Sequence, residues 1–181
     1  MTELQIVSYF NHLGLNTFVD TITIALSYIP FLIALWFVLA FLAYYRDKKH
    51  GKRVFLAILV AVVLYFLVND VIFKSYFVEL FGIKLRPYLE YPNQIIALGP
   101  HLMDSSFPSG HVASSTAVLV VLSWFYKKWW IPSIIFILFM MFARLHMGMH
   151  YPSDVLGGLV FGIIYAALGI KFSKMILSRK R

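Results

Sequence analysis

The chain has no cysteine, so neither a disulfide framework nor a thiolate metal site is open to it. It is also poor in charge. Only 13% of its 181 residues are Asp, Glu, Lys or Arg, and eight of them are acidic. No Lys or Arg precedes Arg46, which removes the basic n-region of a cleaved signal peptide. A polar stretch long enough for a soluble domain is missing as well. What remains is 61% hydrophobic and 18% aromatic with a mean hydropathy of +0.80, outside the range of ordinary soluble domains.

A helix needs roughly 20 mostly apolar residues to cross a hydrocarbon core about 30 Å thick. Five stretches reach that length, at approximately 21–45, 54–73, 109–126, 131–149 and 154–172. Residues 1–20, "MTELQIVSYFNHLGLNTFVD", are too polar to span and suit a helix lying in the membrane interface. The expectation is an all-α, polytopic membrane helix bundle of about five transmembrane helices plus an N-terminal interfacial segment. It forms a single membrane-embedded domain over 1–181.

The net charge of +8 is distributed by topology. Arg46, Lys48, Lys49, Lys52 and Arg53 follow the first span, Lys127 and Lys128 the third. Lys171, Lys174, Arg179, Lys180 and Arg181 sit at or beyond the end of the fifth, so twelve of the sixteen basic residues share one side. By the positive-inside rule that side is cytoplasmic, with the N-terminus outside and the C-terminus inside. Basicity of this kind implies no nucleic-acid partner. Lys74, Lys84, Arg86 and Arg144 fall on or near the outer side, where positive charge is disfavoured and needs a specific task.

Two short segments bring ionisable residues to the same side. "FPSGH" (107–111) opens the third span, and "ARLHMGMHYPSD" (143–154) joins the fourth to the fifth. Helix N-termini carry unpaired N–H groups and the positive end of the macrodipole, and so attract anions. Ser109 adds a hydroxyl, and Gly110 lets an anion approach the backbone. Arg86 and Arg144 offer guanidinium forks that match phosphate geometry. His150 and Asp154 are four residues apart, so the carboxylate can fix one ring nitrogen and leave the other free to attack. A second histidine, His111, can protonate the departing oxygen. Together these residues amount to phosphoryl transfer through a phosphohistidine, with Arg and backbone dipoles in place of a metal or other cofactor.

The residues Arg86-Pro87, then Pro108-Ser109-Gly110-His111, then Arg144-x5-His150-x3-Asp154, resemble the three-part signature of the type 2 phosphatidic acid phosphatase family. The likeness implies His150 as nucleophile, Asp154 as its orienting partner and His111 as the acid for the leaving group. Arg86, Arg144, Ser109 and Gly110 would hold the phosphate. The chain departs from the pattern in places. Where the family has a Lys seven residues before the Arg of Arg-Pro, this chain has Glu79, and Lys74 or Lys84 must supply the ammonium. Ala143 replaces a Ser, and the six spans common in the family are reduced by one.

The reading that follows is a lipid phosphatase, a hydrolase of a bacterial inner membrane with its site facing the periplasm. Its partner is a lipid phosphate or diphosphate within the bilayer: undecaprenyl diphosphate, phosphatidylglycerol phosphate or phosphatidic acid, or lipid A 1-phosphate. Acyl chains are expected to arrive laterally between spans, beside the third. Rival readings are a lipid-to-lipid phosphotransferase and a non-catalytic protein that binds or transports anionic lipid. His146-x3-His150 has metal-ligand spacing, although His146 suits a structural place better. Glu79, Glu90, His101 and Asp104 read as solvated loop residues, and Asp70 with Lys74 as an ion pair. Gly158-x3-Gly162 is a close-packing face that suits packing within the chain or a homodimer.

Overall fold

The computed structural model describes residues 1–13 and 17–178, and every regular element among them is helical. Helix α1 (Glu3–His12) starts from a capping box in which Thr2 and Gln5 satisfy each other's backbone N–H. Helix α2 (Thr17–Leu26) ends two residues before α3 (Ile29–Arg46). The expected first span at 21–45 is therefore two helices. Pro30 lies in the first turn of α3, where its missing N–H costs nothing, and the chain bends just before it.

Helix α4 (Gly51–Tyr65) continues as a π-helix over Phe66–Phe77 and closes with the single turn α5 (Val78–Phe81). A short α6 (Pro87–Glu90) begins the long connection to α7 (Gly110–Phe125). A 3₁₀ turn at Lys127–Trp129 leads to α8 (Trp130–His146), and α9 (Pro152–Ser178) completes the chain. Arg179, Lys180 and Arg181 lie outside the described residues, as do residues 14–16 of the interfacial segment.

Among the described residues, four helical stretches are long and apolar enough to cross a bilayer: Ile29–Arg46, Gly51–Phe81, Lys127–His146 and Pro152–Ser178. The expected third span, α7, is shorter, about 24 Å at 1.5 Å per residue. It is the central helix, buried along most of its length against α4, α8 and α9. A helix shielded by its neighbours need not match the hydrocarbon thickness.

Helix α9 lies directly against α7. A methyl group on Gly158 would stand 2.6 Å from Ser109 O, and one on Gly162 2.6 Å from Ala113 O, so this small-residue face is spent within the chain. Both helices begin at the same end of the bundle. The turn from α8 into α9 passes through Gly148 at φ +67°, a conformation that favours glycine. That turn carries His150 back over the N-terminus of α7.

Candidate active site

A cavity of about 570 Å³ opens at this end of the bundle, lined among others by Lys74, Arg86, His111, Arg144 and His150. Gly110 lies in the wall, where a Cβ would meet Tyr65 Oη at 3.0 Å. The cavity continues between α3 and α4 past Ile33, Trp36 and Val62. It runs into an apolar groove that the same three residues share with Phe37, Phe55 and Leu59. An apolar groove between α3 and α4 thus leads into the cavity, which Gly110, His111 and Ser114 of the third span also line.

His150 is buried, and its two ring nitrogens have unlike partners. Nδ1 faces Ser106 O at 2.8 Å, and a carbonyl only accepts, so Nδ1 carries the proton. Nε2 faces Arg86 Nη1 at 3.3 Å, and a guanidinium only donates, so Nε2 keeps its lone pair. Asp154 Oδ2 stands 3.8 Å from Nδ1, beyond hydrogen-bond reach. The expected direct His150–Asp154 bond is thus replaced by the Ser106 carbonyl. The Asp154 carboxylate instead accepts from Lys84 Nζ at 2.6 Å and from Tyr151 N at 2.8 Å, while acting on the imidazole through its charge. Burial pulls His150 down to about 4, against the opposing pull of Asp154; the Arg86 and Arg144 charges push the same way as burial.

His111 Nε2 stands 3.1 Å from Ser27 O, so that nitrogen also bears a proton. Ser27 sits at the break between α2 and α3. Its hydroxyl accepts from Arg144 Nη2 and donates to Thr23 O at 2.5 Å. Sequence reasoning passed over Ser27. The signal available was "SYIP", a proline within an apolar run that marks a helix start.

The two candidate lysines have different places. Lys74 projects from the π-helical segment into the cavity, and Lys84 lies outside it, held by Asp154 and by Ser153 Oγ at 2.9 Å. The π-helix brings Asp70 and Lys74 into line, 3.7 Å apart. Asp104 makes the closer contacts and is not a solvated loop residue. Its Oδ2 lies 2.8 Å from Lys74 Nζ, and its Oδ1 accepts from Arg86 Nη2 at 2.6 Å. Burial pushes the Asp104 carboxyl up, but Lys74 and Arg86 outweigh it and hold it below the usual value. Glu90 is likewise engaged, accepting from Tyr151 Oη at 2.5 Å.

Several buried polar atoms beside the cavity have no partner: Arg86 Nε, Arg144 Nε, Ser106 Oγ and Ser109 Oγ. Ser109 caps α7 without spending its hydroxyl on the helix. His146 points elsewhere. Its nitrogens face Phe10 O at 3.1 Å and Asp20 Oδ1 at 3.0 Å, so His146 and His150 do not converge as metal ligands. Among the described residues, no group of three or more His, Asp or Glu could hold a metal ion.

Residues 71–177, more than half of the chain, match the sequence model of the PAP2 superfamily. The chain belongs to that superfamily. Among PAP2 relatives, undecaprenyl-diphosphatase BcrC of Bacillus subtilis is 35% identical over 56% of this chain and 52% of its own length. The undecaprenyl-diphosphatase of Sulfolobus acidocaldarius is 30% identical over 72% of the chain and 58% of its own length. The chain therefore spans little more than half of these two relatives. Lipid A 4'-phosphatase of Bacteroides thetaiotaomicron is 26% identical over 88% of the chain and 72% of that protein. The crystal structure of Aquifex aeolicus LpxE superposes with a TM-score of 0.71 at 26% identity, over 93% of this chain and 94% of that one. A transmembrane PAP2-type phosphatidylglycerolphosphate phosphatase from Bacillus subtilis gives 0.68 at 21% identity, over 96% and 85%.

Proposed function

We propose that this protein is an integral membrane lipid phosphatase that removes the terminal phosphate of a polyprenyl diphosphate through a phosphohistidine on His150. The observation that carries this is the unprotonated Nε2 of His150, which accepts from Arg86 and is set among Arg86, Arg144 and Lys74 in a cavity that continues into an apolar groove. The names of two relatives favour undecaprenyl diphosphate over the other lipids.

In this mechanism Nε2 forms the N–P bond while the bond from phosphorus to the lipid-side oxygen breaks. The leaving oxygen takes a proton from Nδ1 of His111, which enters this step protonated on both nitrogens and keeps its Nε2 proton on Ser27 O. Arg86, Arg144, Lys74 and the Ser109–Gly110 turn hold the charge that develops on the transferring group. Water then attacks the phosphohistidine, returns a proton to His111 and releases orthophosphate. No step needs a metal. The excess of Lys and Arg at the opposite end of the bundle supports a site that faces the outside of a cell membrane.

The test is phosphate release by purified protein in detergent with EDTA, for wild type and His150→Ala. Undecaprenyl diphosphate, phosphatidylglycerol phosphate and lipid A would each be offered. Release from undecaprenyl diphosphate that vanishes in the variant is expected. Release that persists in His150→Ala would overturn the mechanism. Labelled phosphate recovered on a second lipid would replace hydrolysis with phosphotransfer.

A further inference from the structure

Two of the cations that line the cavity, Lys74 and Arg86, already hold an anion, and that anion belongs to the protein. Asp104 bridges Lys74 Nζ at 2.8 Å and Arg86 Nη2 at 2.6 Å, with one carboxylate oxygen on each. A phosphate oxygen pair would make the same two contacts. Arg86 is almost wholly buried, while the Asp104 side chain is 39% exposed, so the carboxylate comes in from the rim of the cavity.

Nor is this a chance contact of a loose loop. Ser106 N donates to Lys84 O at 2.9 Å, Lys84 N donates to Ser105 Oγ at 3.3 Å, and His150 Nδ1 donates to Ser106 O at 2.8 Å. Two residues upstream, Leu102 O accepts from Tyr88 Oη at 2.5 Å. Segment 102–106 is fixed on both sides of Asp104, and only the side chain is free to swing. A change of its χ1 rotamer carries the carboxylate out to water without moving the backbone.

We propose that Asp104 is a specificity-determining residue, a tethered carboxylate that keeps singly charged phosphodiester headgroups off the Lys74–Arg86 pair and yields only to a terminal phosphate. The proposal rests on the reading of this cavity as a phosphate site. Its physical basis is competition. A membrane-embedded site meets bilayer phospholipids with one negative charge per diester in vast excess over its substrate. A tethered group competes at an effective concentration on the order of millimolar or more, with no loss of translational freedom. Such a carboxylate matches a monoanionic diester charge for charge and holds its place. A terminal phosphate or diphosphate brings at least one further charge to the same two cations and displaces it. After hydrolysis the returning carboxylate also helps to expel orthophosphate. Specificity here comes from an interaction that the wrong ligand cannot outbid.

The test compares wild type with Asp104→Asn, which keeps an acceptor for Arg86 but removes the charge, and with Asp104→Ala as a second variant. Thermal unfolding in a neutral detergent would be followed against inorganic phosphate and against dimethyl phosphate, a monoanionic diester. Wild type should respond to phosphate and not to dimethyl phosphate. Both variants should respond to both, with the phosphate midpoint lowered by about tenfold. In mixed micelles, added phosphatidylglycerol should inhibit turnover of undecaprenyl diphosphate at least tenfold more strongly in the variants than in wild type, with phosphatidylcholine as the dilution control. Equal diester responses in wild type and both variants would overturn the proposal while leaving the phosphatase reading in place. A wild type that binds no phosphate at all would overturn both.

Discussion

His146 and His150 are one helical turn apart in sequence, both are buried, and each has an aspartate within ion-pair distance. By those criteria they are equivalent, yet their surroundings differ in one respect. Both nitrogens of His146 meet oxygen acceptors, the carbonyl of Phe10 and the carboxylate of Asp20, so the ring is fully committed. His150 meets one acceptor and one donor, and the donor, Arg86, leaves Nε2 with a usable lone pair. Closeness to a carboxylate does not mark the reactive histidine. In the proposed mechanism the sign of the hydrogen bond on the second nitrogen does.

The widest separation between the two should come from the same substitution at each. His150→Gln keeps polarity and much of the volume but cannot accept a phosphoryl group as imidazole does. Steady-state phosphate release should fall by about 10³-fold or more. The His146→Gln protein should stay within a few-fold of wild type in the same assay. Equal losses at both positions would break the distinction drawn here.

Charge state offers a second separation. Burial pulls His150 to about 4, well under the ordinary histidine value, so the ring is neutral and nucleophilic at neutral pH. Lowering the pH through 4 adds a proton to Nε2 and removes the lone pair, so activity should fall on the acid side with that midpoint. Histidine labelled with ¹³C and followed by NMR, with His150→Gln to assign the signal, should keep the neutral shift of this ring down to about pH 4. A midpoint near 6.5 would mean that the ring is hydrated or paired with Asp154 more closely than the 3.8 Å separation allows.

Asp154 comes next in size. In a triad where the carboxylate itself fixes the tautomer, amide replacement costs about 10⁴-fold. Here Ser106 O fixes it, and Asp154 acts through its charge and by holding Lys84 and Tyr151 N. Asp154→Asn should therefore cost less, about 10- to 100-fold in kcat by the same reasoning. Lys84→Met, which removes only the ammonium on Asp154, should cost less again. A full 10⁴-fold loss in Asp154→Asn would mean that the carboxylate moves onto Nδ1 when substrate binds.

These distinctions were only partly legible in the sequence. The apolar runs gave the helices, and Pro-Ser pairs marked the starts of α7 and α9, because both signals are local and periodic. Arg86, His111, Arg144, His150 and Asp154 were conspicuous as ionisable groups beside spans. Lys74 could not be separated from Lys84, since its direction depends on a π-helix, whose wider turn carries no composition signature. Asp104 was misread because an acidic residue among Ser, Pro and Met in a loop has every local mark of solvation. Its partners are 30 residues before it and 18 before it in the chain, and only the fold joins them. Ser27 was hidden inside what looked like one uninterrupted span.

The smallest expected effect tests the other half of the comparison, the histidine whose two nitrogens face Phe10 O and Asp20. His146 ties α8 to the N-terminal helices, and Asn11 strengthens that tie by donating to His146 O at 2.7 Å and to Ile96 O at 2.9 Å. Glu3 adds a link of its own, accepting from Ser153 N at 2.7 Å in the first turn of α9. These contacts hold α1 across the ends of the two helices that carry Arg144 and Asp154. Asn11→Ala leaves the carbonyls of His146 and Ile96 and the Ile96 N–H without this partner, a loss of about 1–3 kcal/mol. Glu3→Gln leaves an acceptor in place and should cost only a few tenths of that, since the N-terminal carboxylate of an exposed helix end is worth about 0.3–1 kcal/mol. The expected result is a lowered unfolding temperature for Asn11→Ala, a marginal one for Glu3→Gln, and phosphate release near wild type in both below their transitions. A large loss of turnover without a loss of stability would mean that α1 takes part in shaping the cavity and does more than brace it.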